Sequence, residues 1–163
     1  MFYIRGRKKW DAAPPRDTPT YQDPSTVKTL VVHHTAGLAP SAKFVPAELR
    51  SIQRQHMSGS RGVPFNDIGY NILIDRQGRC WEGRGLRVVG AHTLGHNTGT
   101  LGVSFLGNYQ NITANRRQLV AFRLLKARLR LHGFRFTRIT GHKLMPDQAT
   151  ACPASLVGSL GLK

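Results

Sequence analysis

The sequence feature that most constrains the fold is the run of residues 30–37, Leu-Val-Val-His-His-Thr-Ala-Gly. Three aliphatic residues that lead into two histidines and a glycine predict a buried strand that ends at a loop. The end of such a strand is rigid enough to hold a metal ligand. His33 is therefore a candidate ligand, and the downstream candidates for the same site are His142 and Cys152.

Length and composition indicate a single globular domain. The chain has 163 residues, of which 40% are hydrophobic, and a chain of this size can bury a substantial core. No apolar run is long enough to cross a membrane. The basic N-terminus is not followed by the apolar segment of a secretory signal, so we expect no such signal.

The chain is strongly basic, with 24 lysines and arginines against 8 acidic residues and a net charge of +16. A charge of this size predicts an anionic partner or surface, such as nucleic acid, a membrane face or the acidic polymers of a cell wall. The basic residues are spread along the chain, without a lysine and arginine block or a patch interleaved with aromatic residues. An obligate nucleic-acid partner is therefore not expected, and a surface that only favours solubility is the alternative.

The pattern of hydrophobic residues predicts strands and helices after an irregular N-terminal segment. Residues 1–28 are predicted to be loop, with Trp10 as the side chain that anchors them to the body. The glycine-rich residues 83–100 are predicted to form a long structured loop of the kind that often carries function. The predicted strands cover residues 29–34, 70–75, 79–82, 101–106 and 135–140, and the predicted helices cover 46–57, 115–131 and 153–160, with Thr113 as the cap of the second helix.

The histidine and cysteine candidates suit zinc. Zinc prefers neutral imidazole and thiolate, and a catalytic zinc site uses three protein ligands with a fourth position open to water. His33, His142 and Cys152 supply such a set, although the chain has seven histidines and a set of this kind can arise by chance. A nucleophilic Cys152 paired with a histidine is the alternative on the residues alone. The chain lacks the His-Glu-x-x-His pattern of zinc proteases and the phosphate-binding loop of nucleotide enzymes.

Several short motifs follow one another along the chain. They are Arg7-Lys8-Lys9-Trp10, Val32-His33-His34-Thr35-Ala36, Asn66-Asp67-Ile68-Gly69-Tyr70-Asn71, Trp81-Glu82-Gly83-Arg84-Gly85, Gly90-Ala91-His92-Thr93, Thr140-Gly141-His142 and Cys152-Pro153. In this order they resemble the peptidoglycan-recognition-protein and type 2 N-acetylmuramoyl-L-alanine amidase family. The resemblance extends from about residue 7 to the C-terminus.

The resemblance implies an α/β fold in a single domain, with a central mixed β-sheet flanked by helices. It implies a zinc amidase catalytic domain at residues 29–163, on which residues 1–28 pack, and no separate wall-binding domain. The implied activity is zinc-dependent hydrolysis of the amide bond between N-acetylmuramic acid and L-alanine in bacterial peptidoglycan. The alternatives are a peptidoglycan-binding protein of the same fold without activity, and a basic nucleic-acid-binding protein.

The cysteine pair that is common in animal members is absent, which indicates a phage or bacterial lytic enzyme similar to the endolysins. We would then expect a monomer with bacteriolytic and antimicrobial action. It would be made in a host cytoplasm and would act on the cell wall after release. Its positive charge would speed association with anionic wall polymers or a membrane surface.

The resemblance also implies roles for single residues. The implied zinc ligands are His33, His142 and Cys152. Tyr70 matches the family's catalytic tyrosine, although a buried strand tyrosine is the alternative. Thr150 lies where other members carry a catalytic lysine or a threonine, and a threonine can donate a hydrogen bond without bringing charge.

Three further residues are expected to contact the substrate, namely His34, His92 and Asn97. Strand alternation turns the side chain of His34 away from that of His33, so a packing role is the alternative for His34. His92 and Asn97 could instead brace the glycine-rich loop.

Overall fold

The chain folds around a mixed sheet in a computed structural model that describes residues 2–60 and 62–163. The strands are β1 (Ile4–Arg5), β2 (Thr29–His34), β3 (Ile72–Ile74), β4 (Cys80–Glu82), β5 (Thr100–Phe105) and β6 (Arg138–Gly141). Within the described residues they form a 6-stranded sheet in the order β1-β4-β3-β5-β2-β6. The hairpin partners β3 and β4 are antiparallel, and the other neighbouring pairs are parallel.

Helices cover both faces of this sheet. They are α1 (Val45–Ser58), α2 (Arg116–Leu131) and α3 (Leu156–Leu160). α1 packs on one face in a cluster that includes Leu49 and Trp10, whereas α2 packs on the other face through Phe122 and Leu125. The expected single α/β domain, a mixed sheet flanked by helices, is confirmed. In the described part of the chain, no helix has both the length and the apolar character that a membrane span needs.

The central strand β2 shows how the sequence builds the two layers. Successive side chains of a strand point to opposite faces. Leu30 and Val32 lie in the core cluster beneath α2, and burying each of them contributes roughly 1.5–3 kcal/mol. Val31 and His33 therefore point to the face that carries α1. The strand is buried from Leu30 to its end because β5 and β6 pair with it on either side.

The N-terminal segment is more regular than its sequence suggests. Ile4 and Arg5 form β1 and pair in parallel with the first two residues of β4. The prediction of an irregular segment missed this strand because two residues carry no periodicity. Trp10 anchors the segment as expected, since its side chain is fully buried and its indole N–H donates to the carbonyl oxygen of Glu82 at 2.8 Å.

Two predicted element starts are wrong by about three residues. β6 begins at Arg138, because it pairs only with the first four residues of β2. α3 begins at Leu156 rather than at residue 153, because Ala154 has a φ of 58°, in the left-handed region that a right-handed helix cannot contain.

The N-terminal cap of α2 also differs from the prediction, which named Thr113. Asn115 is the cap: its side-chain oxygen accepts the backbone N–H of Gln118 at 3.0 Å, and the side chain of Gln118 accepts the backbone N–H of Asn115 at 3.3 Å. This reciprocal pair is a capping box. The side-chain N–H of Asn115 also donates to the carbonyl oxygen of Arg76, which ties the helix to the turn of the β3–β4 hairpin.

We therefore expect Asn115→Ala to lower the free energy of unfolding by about 1–2 kcal/mol, because the side-chain hydrogen bonds with the N–H of Gln118 and the carbonyl oxygen of Arg76 are lost. Thr113→Ala is the matched control and should change it by less than about 0.5 kcal/mol. Urea unfolding followed by circular dichroism measures both. Equal losses in the two variants would contradict the assignment of the cap.

Candidate metal centre and its surroundings

Two neighbouring parallel strands bring His33 and His142 together. β2 and β6 are paired so that Val32 lies opposite Gly141, and the next residue of each chain segment is a histidine. Parallel strands end at the same edge of a sheet, so the two side chains meet there although they are far apart in sequence. Their ring centroids are 4.5 Å apart.

Cys152 reaches the same place from the loop that follows β6. The backbone N–H of Lys143 donates to the carbonyl oxygen of Cys152 at 2.7 Å, which closes this loop on itself. The Sγ atom lies 3.7 Å from Nδ1 of His33 and accepts the backbone N–H of His34 at 3.4 Å. One donor atom from each of His33, His142 and Cys152 lies within 4.8 Å of the others.

The distances and donor types of this cluster fit zinc. Bonds of about 2.1 Å to nitrogen and about 2.3 Å to sulfur, at a tetrahedral angle, place the two ligand atoms about 3.6 Å apart. The observed distance between Nδ1 of His33 and Sγ of Cys152 is 3.7 Å. Burial lowers the pKa of His33 well below its ordinary value and also lowers that of His142, so both rings are in the neutral form that binds metal.

Burial raises the pKa of the Cys152 thiol, whereas it lowers the pKa of the two histidines. Burial raises its pKa to about 11, while the hydrogen bond from the backbone of His34 lowers it. A buried thiol of this kind becomes a ligand when a cation beside the sulfur stabilises the thiolate. The raised pKa disfavours the alternative of a metal-free Cys152 nucleophile, because the reactive form is the thiolate. In the described residues no lysine, arginine or protonated histidine contacts Sγ to stabilise that thiolate.

Each histidine of the cluster is oriented by a partner on its second nitrogen. Nε2 of His33 lies 3.0 Å from Nδ1 of His92, and Nε2 of His142 lies 3.0 Å from Oε1 of Gln148. Because the amide oxygen of Gln148 can only accept, Nε2 of His142 carries the proton, and the lone pair of its Nδ1 is available. In the same tautomer, with the proton on Nε2, His33 has a lone pair on Nδ1, which lies 3.7 Å from Sγ of Cys152. Metal-binding histidines are commonly fixed in this way.

His92 is built into the core behind His33. Its side chain is only 7% exposed, and burial lowers its pKa to about 3, so its ring is neutral and Nδ1 can accept the proton of His33. A Cβ atom at Gly90 or at Gly102 would lie 2.4 Å from Cδ2 of His92, so both positions require glycine. On the far side, Nε2 lies 3.4 Å from the hydroxyl oxygen of Thr100, which donates to the carbonyl oxygen of His96.

Tyr70 lies beside the cluster, in the segment that enters β3. Its ring centroid is 5.4 Å from that of His33 and 5.5 Å from that of His56, and its side chain is partly buried against the core cluster of α1. Nδ1 of His56 accepts the backbone N–H of Gly69, which fixes the segment just before Tyr70. The sequence analysis predicted a helix over 46–57 but did not place His56 beside Tyr70.

Thr150 lies next to the cysteine of the cluster. Its hydroxyl oxygen accepts the backbone N–H of Cys152 at 3.1 Å, and its own backbone N–H donates to the carbonyl oxygen of Gln148. A hydroxyl group that accepts one hydrogen bond can still donate its proton to another acceptor. Thr150 is therefore held beside Cys152 with its hydroxyl proton free for another acceptor.

The structure gives His34 a packing contact. Its imidazole points to the face opposite His33, is 7% exposed, and accepts the backbone N–H of Tyr109 at Nδ1, 3.1 Å away. It therefore braces the segment after β5, which is the alternative that strand alternation predicted. Asn97 also has a bracing role, because its side-chain oxygen accepts the backbone N–H groups of His92 and Thr93. Substrate contacts of His34, His92 and Asn97 stay predictions.

Gln148 is a site residue that sequence reasoning missed. Besides its contact with His142, it donates from Nε2 to the carbonyl oxygen of Leu94 at 3.0 Å. It thus ties the loop after β6 to the glycine-rich loop. Nothing in the local sequence marks it, because residues 143–149 read only as a turn.

The sequence of the chain matches a known protein family. The family model described as N-acetylmuramoyl-L-alanine amidase matches residues 23–155. The chain belongs to this family.

Curated relatives include both amidases and recognition proteins. The chain is 44% identical over 98 residues to peptidoglycan-recognition protein SC2 of Drosophila simulans, a match that covers 60% of this chain and 52% of the relative. It is 38% identical over 121 residues to an N-acetylmuramoyl-L-alanine amidase of Mus musculus, covering 71% of this chain and 22% of that protein. The match therefore spans about half of the fly protein and about a fifth of the mouse protein.

Solved structures of the family share the fold over nearly the whole chain. Peptidoglycan recognition protein-LE, in complex with tracheal cytotoxin, superposes with a TM-score of 0.83 at 31% identity, covering 98% of this chain and 89% of that one. The bumblebee recognition protein PGRP-SA superposes with a TM-score of 0.87 at 29% identity, covering 99% and 95%.

The contact between His92 and His33 leads to a prediction about zinc affinity. His92→Ala removes the acceptor that orients His33 and should weaken zinc binding about 10- to 100-fold. His132→Ala, at an exposed position, is the matched control and should leave the affinity unchanged. Competition with a chromophoric chelator measures both dissociation constants. An unchanged affinity in a folded His92→Ala protein would show that the contact does not orient the ligand.

Proposed function

We propose that the chain is a zinc-dependent amidase that cleaves the bond between N-acetylmuramic acid and L-alanine in bacterial peptidoglycan. The observation that carries this proposal is the convergence of His33, His142 and Cys152 within 4.8 Å, beside Tyr70. The family supports it, and a recognition protein of the same fold has been solved with a monomeric diaminopimelic acid-type peptidoglycan.

The chain's own residues prepare the site for a metal ion. A bound zinc ion supplies a Lewis acid for the lactyl carbonyl of the muramic acid and lowers the pKa of a water molecule toward about 7. His33 and His142 are kept neutral by burial, and their Nε2 protons are directed to His92 and Gln148. The arrangement therefore exists before substrate arrives, which lowers the cost of ordering the site during the reaction.

Tyr70 and Thr150 are the donors that would stabilise the carbonyl oxygen as it gains negative charge. The ring of Tyr70 is held between His33 and His56, and the hydroxyl of Thr150 is held by the backbone of Cys152. Removing one donor of this kind commonly lowers kcat by about 10²–10³. In the overall reaction water adds its hydroxyl group to the lactyl carbonyl carbon and its proton to the nitrogen of L-alanine. The amide C–N bond breaks, and the glycan is separated from the stem peptide.

A second candidate is binding of peptidoglycan without hydrolysis. The solved structures of similar fold include several recognition proteins, which favours this reading. The His33, His142 and Cys152 set disfavours it, because binding alone does not require three donor atoms and a tyrosine at one point.

We further propose, from the sequence, a lytic role of the phage endolysin type, with access to the wall after release from the cytoplasm.

Product analysis on purified peptidoglycan tests the proposal. The intact protein should produce new alanine amino ends without new reducing sugar ends. A chelator should abolish the activity, and added zinc should restore it. If the protein binds the wall but produces no new ends of either kind, the proposed amidase activity is wrong and the protein is a recognition module.

Three variants sharpen this test. Cys152→Ala should abolish hydrolysis, whereas Cys80→Ala should retain it, because Cys80 is buried in β4 outside the cluster. Tyr70→Phe should still sediment with the wall but lower kcat by about 10²–10³. If Cys80→Ala and Cys152→Ala lose activity equally while remaining folded, the assignment of the ligands is wrong.

A further inference from the structure

The outward face of α2 carries an apolar stripe that the catalytic proposal does not use. Val120 and Leu124 are each 45% exposed, and Leu131 is 80% exposed. At about 100° per residue, these three positions and the exposed Ala127 fall within a sector of about 60° around the helix axis. They therefore form a continuous stripe along the helix, rather than the scattered apolar residues that are normal on a surface.

Arginines flank this stripe on both sides. By the same helical spacing, one side carries three exposed arginines and the other carries two. They are Arg116, Arg123 and Arg130 on one side and Arg117 and Arg128 on the other. The helix contains no acidic residue, and in the part of the chain that the structure describes none of the five forms an ion pair.

Charge near the helix is poorly balanced over a long stretch of sequence. The chain has no acidic residue between Glu82 and Asp147. Glu82 shares a cavity of about 240 Å³ with Arg128 and His132, so one end of the face is partly balanced. The remainder of the face is a basic surface around an apolar centre.

A cleft adjoins the stripe at the start of α2. It has a volume of about 450 Å³ and is lined by Phe2, Val120 and Leu124 together with Arg116 and Arg117. Apolar walls with two guanidinium groups in the same cleft match the two parts of a phospholipid, an acyl chain and an anionic phosphate.

We propose that α2 docks on the surface of an anionic phospholipid bilayer. The helix would lie in the plane of the interface, with Val120, Leu124 and Leu131 at the boundary of headgroups and acyl chains and the arginines on lipid phosphates. An amphipathic helix with a basic polar face binds in this way, and its binding combines buried apolar area with attraction to anionic lipids. A nucleic acid or another soluble polyanion would use the arginines but gain nothing from the stripe.

The position of α2 allows docking without blocking the candidate metal centre. Phe122, Leu125 and Leu129 pack the inner side of the helix on the sheet face that also carries Leu30 and Val32. His33 points to the opposite face of the same strand. A membrane on α2 would therefore not cover the candidate metal centre.

Co-sedimentation of the intact protein with lipid vesicles tests the proposal. The protein should bind vesicles of phosphatidylglycerol and phosphatidylcholine, bind pure phosphatidylcholine far more weakly, and lose affinity as salt rises. The double variant Leu124→Gln, Leu131→Gln keeps the charge and the helix propensity, and should weaken binding about tenfold or more. The double variant Arg123→Gln, Arg130→Gln should weaken it about fivefold for each arginine.

Matched variants elsewhere on the surface serve as controls. Leu38→Gln with Val63→Gln removes two apolar side chains that are 89% and 82% exposed outside α2, and should leave binding unchanged. Lys8→Gln with Lys9→Gln removes two exposed charges outside α2, and should weaken binding less than the arginine pair. All variants should keep the thermal unfolding midpoint of the parent. Vesicle binding is measured without hydrolysis, so a failed amidase test would not affect this one.

Two outcomes would overturn the proposal. One is equal vesicle binding by the parent and the folded Leu124→Gln, Leu131→Gln variant. The other is binding to duplex DNA as tight as to anionic vesicles, with dependence on the arginines but not on the leucines. The second result would make the face a general polyanion surface.

Discussion

The parallel pairing of β2 with β6 is the constraint on which the rest of the site depends. The register sets Val32 against Gly141, and the sequence places a histidine immediately after each. A shift of one residue in either strand would turn one imidazole to the opposite face, where His34 packs against Tyr109. The burial of Leu30 and Val32 in the apolar core therefore fixes the register of β2. That register in turn fixes the position of the polar cluster at the end of the strand.

The strand register fixes where the two cluster histidines lie, and the polar groups around them fix which ring nitrogen carries the proton. His92 and Gln148 each engage the Nε2 atom of a cluster histidine, and each is held by further contacts from the glycine-rich loop or the loop after β6. The glycines at positions 90 and 102 let the His92 ring lie directly against the backbone. The site is thus supported by a layer of hydrogen bonds, and the buried one between His33 and His92 allows two polar rings to lie in the interior.

Much of this architecture could be predicted from the sequence, and the exceptions have physical reasons. The strand at His33 and the helix with Leu49 and Ile52 follow from periodicity, and the cluster of His33, His142 and Cys152 follows from residue types and family resemblance. The two-residue β1 was missed because it has no periodicity. The contact of His92 with His33 was not anticipated, and Gln148 was not singled out, because both depend on contacts between distant segments. The sequence predicted the helix over 115–131, but the apolar stripe on its outer face became evident only once exposure was known.

The central claim is that β2, β6 and the loop after β6 assemble a zinc site from two histidines and one cysteine. X-ray absorption at the zinc edge of the zinc-loaded protein tests this claim most directly. We predict two nitrogen ligands at about 2.0–2.1 Å and one sulfur ligand at about 2.3 Å, with the sulfur lost in Cys152→Ala. A spectrum with nitrogen and oxygen ligands alone in the unchanged protein would contradict the claim.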